Sequence, residues 1–239
     1  NNNICAEKIL DYICYNIHAN DNDENAVIIT EINILALLLP FIICARKENP
    51  KYVMKPLNIT CEDFTKQNIF KQEYSVIIGN PPFVTMYGKR SRNMTEEKRA
   101  YFNTFDFVQN KKGNNKFNIS MFFIENSLKL LKYGGQLSFI LDITFFETAF
   151  VDIRKYIVKN YYINSLTTGL QEFEGVASGQ LIIDITNVKM FNNNIKLIDF
   201  ATKEIKLVNQ YTWNNEENKY KFNEPLNEIQ QTINSKIIK

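Results

Sequence analysis

The residues best suited to chemistry lie in the stretch Ser75–Phe83, SVIIGNPPF. A short apolar run leads into Asn80, then into two prolines that fix the backbone φ and remove two N–H donors. The Asn80 side-chain oxygen and the Pro81 carbonyl can together accept both hydrogens of one planar NH₂ group. Pro82 stiffens the turn between them and Phe83, whose ring can stack flat on the ring that bears the amine. Such a corner grips an aromatic amine while its nitrogen attacks an electrophile. Other chemistries leave little trace. His18 is the only histidine and has no nearby nucleophile with a matching acid, which argues against a His-based triad. Pairs such as Glu96/Lys98 and Glu204/Lys206 have chance spacing, and neither GxxxxGKS/T nor HExxH occurs. The four cysteines form no CxxC pair, so no metal is expected.

Composition sets the frame for these residues. A chain of 239 residues holds one large domain, or one domain and an appendage, at ~150 residues per domain. Apolar residues at 45% and charged residues at 23% suit a globular protein with a sizeable core. Lys and Arg total 28 against 26 acidic residues, a net charge of +2, which excludes a histone-like polycation but permits a locally basic face. The apolar run Ile32–Ala45 contains Asn33 and Pro40 and falls short of the ~20 residues of a membrane span, so it reads as a buried helix with no membrane partner. Nothing at the start reads as a secretion signal, and unpaired cysteines fit a reduced, cytoplasmic location.

Strand candidates are Ala26–Thr30, Leu57–Cys61, Ser75–Gly79, Gln136–Leu141, Ile163–Thr168 and Gln180–Thr186. Several are almost wholly apolar, as in a parallel sheet covered on both faces. Helical periodicity fills the intervals. It runs through Ile9, Leu10, Ile13 and Ile17, through Ile34–Arg46, through Phe117–Lys132 with Gly134–Gly135 as a stop, and through Phe150, Ile153 and Ile157. The alternation predicts an α/β fold with a mostly parallel, doubly wound sheet; the last two strands, with no helix between them, predict an antiparallel edge hairpin. Ligands of such sheets sit beyond the carboxyl ends of the strands. The residues to read for function are therefore Glu31, Glu62–Asp63, Asn80–Phe83 and Asp142.

At this point the chain resembles a known family. Gly79–Phe83 (GNPPF) is similar to the NPPY/F motif of the DNA adenine-N6 methyltransferases, above all the branch found in type IIG restriction–modification proteins and orphan methylases of clostridial, sporulation-linked type. The likeness runs from about Cys5 to about Thr186. It implies a Rossmann-like S-adenosylmethionine-dependent methyltransferase fold and methyl transfer to the N6 amine of an adenine flipped out of double-stranded DNA. It also implies roles for the other strand-end residues. Glu31 would bind the cofactor ribose, with Ile32 against the adenine. Asp63 would accept from the cofactor's adenine amine, with Phe64 packed on the ring and Asn80 nearby. Asn118–Gly135 resembles the helix and turn that lead to the family's next strand, and Phe173 would bring a second aromatic to the flipped base.

The chain also departs from that pattern. The family opens with a strand and a Gly-rich loop, whereas all eight glycines here lie at or after Gly79. The expectation is a methyltransferase domain over 1–210 that starts just downstream of that loop, then a linker over 211–239 towards a target-recognition domain. After the Asn-Pro-Pro-Phe turn, Lys89, Arg90, Arg92, Lys98, Arg99, Lys111, Lys112 and Lys116 are interleaved with Tyr87, Tyr101, Phe102 and Phe105, a pattern that suits a nucleic-acid cleft. Two alternatives stay open. NPPY-type enzymes also methylate protein glutamine or RNA guanine, and the fold is also kept by non-catalytic DNA-binding subunits of restriction–modification systems.

Overall fold

The computed structural model describes residues 5–66, 73–86, 95–108, 117–170, 179–189 and 193–223. They fall into two compact units, residues 1–69 and 70–239.

The first unit runs α1 (Ala6–Asn16), β1 (His18–Asp21), α2 (Glu24–Glu48) and β2 (Asn58–Cys61). Ala6, Leu10 and Cys14 recur every four residues on one face of α1 and are its buried residues. Ala6 and Leu10 lie against Leu38 and Ala45 of α2, with Tyr52, Met54 and Leu57 of the returning chain packed alongside. β1 and β2 pair in parallel, His18 opposite Asn58 and Asp21 opposite Cys61. The segment Ala26–Thr30, expected as a strand, lies in the first two turns of α2. Asp23 caps that helix by accepting from the Asn25 N–H, Glu24 lies in the first turn, and Arg46 and Lys47 lie in the last. These charges complement the helix dipole at both ends.

The expected buried helix over 34–46 is thus a 25-residue helix, in which only Leu38 and Ala45 are buried. Length and composition would let α2 cross a membrane. Its topology does not, because the strands at its two ends are hydrogen-bonded side by side. A span would force the return, Asn49–Leu57, to cross as well with its backbone unpaired.

The second unit is built on a six-stranded sheet. Its strands are β3 (Tyr74–Gly79), β6 (Leu131–Asp142), β7 (Tyr162–Leu170), β8 (Gln180–Thr186), β9 (Asn194–Asp199) and β10 (Ile205–Asn209). A two-stranded antiparallel ribbon, β4 (Thr85–Met86) with β5 (Phe117–Asn118), stands apart. The helices are α3 (Glu96–Phe102), α4 (Ile119–Leu130) and α5 (Val151–Asn160).

The sheet order is β10-β9-β7-β8-β6-β3, and it is mixed rather than mostly parallel. β3 with β6 and β7 with β9 are parallel; β6 with β8, β7 with β8 and β9 with β10 are antiparallel. The expected antiparallel pair β7–β8 forms, but inside the sheet, and the edge hairpin is β9–β10. In-register apolar pairs bind β6 to β8: Leu137 faces Ile185, Phe139 faces Ile183 and Leu141 faces Leu181, all buried. Met121, Phe122, Ile124 and Leu128 of α4 and Ile153, Ile157 and Val158 of α5 join the same core. Helix α4 ends at Leu130, before Gly134–Gly135. Those glycines sit within β6 where its register against β3 shifts; Gly134 has φ +78°, and a Cβ on Gly135 would lie 2.9 Å from the Tyr74 carbonyl.

Packing continues past residue 210, where a linker was expected. Trp213 stacks on Phe222 with centroids 4.4 Å apart, and Phe222 meets Phe145 at 5.8 Å. Arg154, 1% exposed, fastens this segment. Its guanidinium donates to the carbonyls of Phe145, Glu147 (2.8 Å) and Tyr220 (3.0 Å). Lys219 and Tyr220 have positive φ, so the receiving turn is held in a conformation that side chains disfavour. Burial lowers the Arg154 pKa to about 10, against the opposing pull of Asp152, so the group is still charged at neutral pH. Lysine cannot reproduce that fork of donors. Arg154→Lys is expected to lower the unfolding free energy by about 2–4 kcal/mol, measured by urea titration with the fluorescence of Trp213, the single tryptophan.

Candidate functional site

In the second unit, β3 delivers its last residue, Gly79, opposite Phe139 of β6. A Cβ at position 79 would stand 3.1 Å from Cε1 of that ring, so the strand end lies closer to β6 than a side chain would comfortably allow. Immediately beyond it, Asn80 is exposed, Pro81 buried, Pro82 exposed and Phe83 half-buried. Pro81 anchors the turn, while Asn80 and Phe83 keep surface open to a ligand. The chain leaves through Val84, whose carbonyl accepts from the Ile119 N–H at 2.9 Å, and enters β4. Asn118 lies directly opposite Thr85 there.

In the first unit, the carboxyl ends of the paired strands bring together Asp21 and the Glu62–Asp63 turn. The Glu62 N–H donates to the Asp21 carbonyl (3.0 Å), and the Asn20 amide donates to the Glu62 carbonyl (3.0 Å). Asp21 Oδ1 accepts from the Asp23 N–H at 2.9 Å. Asp63 Oδ1 accepts from Thr65 twice, from its N–H (2.9 Å) and its hydroxyl (2.7 Å). In each carboxylate one oxygen holds its own turn. A carboxylate has a second oxygen, and at Asp21 and Asp63 it is the one suited to accept from a ligand. Phe64 is half-buried beside them.

Glu31 and Ile32 are not at a strand end. Both lie on the exposed surface of α2, about 10 Å along the axis from its first residue at 1.5 Å per residue, and Ile32 is 59% exposed. The acidic residue that follows the first strand is Asp21. The signal for it was present in the sequence, since Asp23-Glu24 directly before an apolar run is a helix start and places the strand ahead of it.

Tyr87, Lys89, Arg90, Arg92 and Phe173, expected at the substrate, lie outside the described residues, as do Lys111, Lys112 and Lys116. Of the rest of that stretch, Lys98 and Arg99 are exposed on α3, which Thr95 caps. Phe102 and Phe105 face inward instead of towards a ligand. They pack with Phe107, Phe117 and Phe122, Phe102 lying 4.2 Å from Phe122. The chain after α3 is tied to α4 by Glu125, which is fully buried and accepts from the N–H groups of Asp106 and Phe107, both at 2.9 Å. Lys129 bridges Glu125 (2.7 Å) and Asp106 (2.9 Å). Burial draws the Lys129 pKa down, but these two hydrogen-bonded carboxylates outweigh it and leave the pKa raised. Among the described residues no cluster of His, Cys, Asp and Glu could hold a metal ion.

The fold has relatives among solved structures. The chain is similar to LlaBIII, an ATP-dependent Type ISP restriction-modification enzyme bound to DNA, with 16% identity and a TM-score of 0.60 over 91% of this chain and 16% of that one. It is similar to the Type ISP enzyme LlaGI (15% identity, TM-score 0.60, 92% of this chain and 20% of that one). It is also similar to DrdV in its DNA complex (14% identity, TM-score 0.57, 90% of this chain and 24% of that one). The chain therefore corresponds to a quarter or less of each of these proteins. No curated protein matches its sequence. The family model for the Eco57I restriction-modification methylase matches residues 15–173, well over half of the 239, and the chain belongs to that family.

Proposed function

We propose that the chain is the catalytic part of an S-adenosylmethionine-dependent DNA methyltransferase that modifies the N6 amine of an adenine flipped out of the duplex. The observation that carries this reading is the Asn80–Phe83 turn at the carboxyl end of β3, with Pro81 buried as an anchor and Asn80 and Phe83 accessible. Membership of a restriction-modification methylase family supports a methyl donor and DNA as partner.

The residues of the first unit fit the cofactor. Two carboxylates at neighbouring strand ends, each with an oxygen able to accept, suit vicinal ribose hydroxyls at Asp21 and an adenine amine at Asp63, with Phe64 beside the ring. When bound, S-adenosylmethionine supplies a methyl group made electrophilic by its sulfonium.

The chain's own residues prepare the acceptor. An adenine amino nitrogen is a poor nucleophile because its lone pair is delocalised into the purine. The Asn80 side-chain oxygen and the Pro81 carbonyl accept its two hydrogens, favour a tetrahedral nitrogen and stabilise the positive charge that develops there. No strong base is needed, because the methylated ammonium loses its proton readily. Phe83 receives the extruded ring by stacking. A target-recognition domain supplies the choice of sequence.

Asn80→Ala is expected to reduce methyl transfer to duplex DNA by at least about 100-fold, with S-adenosylmethionine affinity nearly unchanged; tritium transfer and calorimetry measure the two. Running duplex DNA, RNA and protein acceptors in parallel tests the substrate class, and transfer only to RNA or protein would overturn the DNA assignment. The two candidate acids separate cleanly by calorimetry. Asp21→Ala should weaken cofactor binding about 10- to 100-fold, the range for a charged hydrogen bond, while Glu31→Ala binds as wild type.

A further inference from the structure

We infer that Asn118 and Thr85 act as a clasp that fixes the exit of the Asn80–Phe83 turn, which makes Asn118 a positioning residue for the reaction proposed above; the inference rests on that reading for its kinetic consequence only. Asn118 is 4% exposed and does two jobs at once. Its Oδ1 caps α4, accepting from the Ser120 N–H (3.0 Å) and the Ser120 hydroxyl (2.7 Å). Its Nδ2 reaches across the β4–β5 ribbon to donate to Thr85 Oγ1 at 3.2 Å. The Ile119 N–H completes the clasp by donating to the Val84 carbonyl.

The helix on which the clasp stands is rigidly held. Ser120, Met121, Phe122 and Ile124, the first turns of α4, are all buried. At the other end of the turn Gly79 is fixed by its ladder to β6 and its approach to Phe139. Residues 80–83 lie between the two anchors, with Pro81 buried and with the φ angles of Pro81 and Pro82 set. The setting of the Phe83 ring therefore depends on where Val84 and Thr85 are held.

A helix cap alone would not require asparagine. Asp, Ser and Asn cap about equally well through a side-chain oxygen. Of these only Asn also has an N–H₂ group that binds Thr85; a carboxylate at 118 would accept from the Thr85 hydroxyl instead, whereas Ser is too short to reach it, so Asn118→Ser keeps the cap and opens the clasp. Thr85→Val opens it from the other side while keeping the shape of the strand residue, and Thr85→Ser retains the hydroxyl.

The test uses the full natural chain and two readouts, steady-state methyl transfer and hydrogen exchange of the amides of residues 83–86. Asn118→Ser and Thr85→Val should each lower kcat about tenfold, with KM for S-adenosylmethionine within about twofold, and should each speed exchange of 83–86 about tenfold. Thr85→Ser should behave as wild type, and the double variant should be no worse than the weaker single one. Wild-type exchange and wild-type kcat in both single variants would overturn the clasp, as would a fall in Tm with neither readout changed. If the wild-type chain methylates no acceptor, the reaction reading fails, and the exchange measurement still decides the clasp.

Discussion

The approach of Gly79 to the ring of Phe139 governs the geometry of everything at the candidate catalytic corner. β3 is the outermost strand of its sheet among the described residues and pairs only with β6. Its end is placed by one ladder and one contact, not by neighbours on both sides. A residue with a Cβ would have to push Phe139 back into a core where that ring is already buried against Ile183 of β8. From this fixed point the chain passes through two prolines and is caught again by α4. A turn anchored at both ends can present an amide oxygen and a carbonyl with little reorganisation, and preorganised dipoles are the kind that favour a developing charge.

The corner itself was legible because its signals are local. An apolar run, a glycine and Asn-Pro-Pro-Phe give a strand, a stop and a stiff turn without reference to the rest of the chain. The first acidic residue was not legible in the same way. Val27, Ile28, Ile29 and Thr30 have the β-branched character of a strand, yet they continue into the rest of one helix that ends at Glu48. Where almost every position is apolar, period cannot separate strand from helix, and the decision passes to the ends. There Asp23, Glu24, Arg46 and Lys47 all point to a helix. The true strand, His18-Ala-Asn-Asp21, has almost no apolar content and is a strand because Asn58–Cys61 pairs with it. The shift from Asp21 to Glu31 is thus the consequence of one misplaced helix start, and the Glu62–Asp63 turn, read from the next strand, is where it was expected.

Strand direction was hidden for a related reason. Apolar residues on successive positions of β6 and β8 report that both faces are covered, which a parallel sheet requires but an antiparallel pair also permits. The residues that hold the unit together at a distance were hidden too. Glu125 and Arg154 are ordinary polar residues of amphipathic helices when read by sequence, yet both are buried. Arg154 donates to a carbonyl 66 residues away, and Glu125 accepts from N–H groups 18 and 19 residues away. Gln210 is of the same kind, accepting from the Ile163 N–H and donating to the Tyr161 carbonyl. Such groups carry no periodic signature, since their partners are backbone atoms that any sequence supplies.

Inward-facing aromatics also change what the segment after the turn can offer a polyanion. Phe102 and Phe105 sit on Phe122 of α4, and the Glu125–Lys129–Asp106 network fastens the chain that follows them. These rings form a floor, and on it α3 carries Lys98, whose ammonium lies 5.8 Å from the Phe102 centroid, and Arg99. The same helix also carries Glu96 and Glu97, so its acids balance its bases while its rings stay inside. A run of cations and aromatics read along the chain is therefore not by itself a basic, ring-lined face, because folding sorts the rings inward and sets the acids beside the bases.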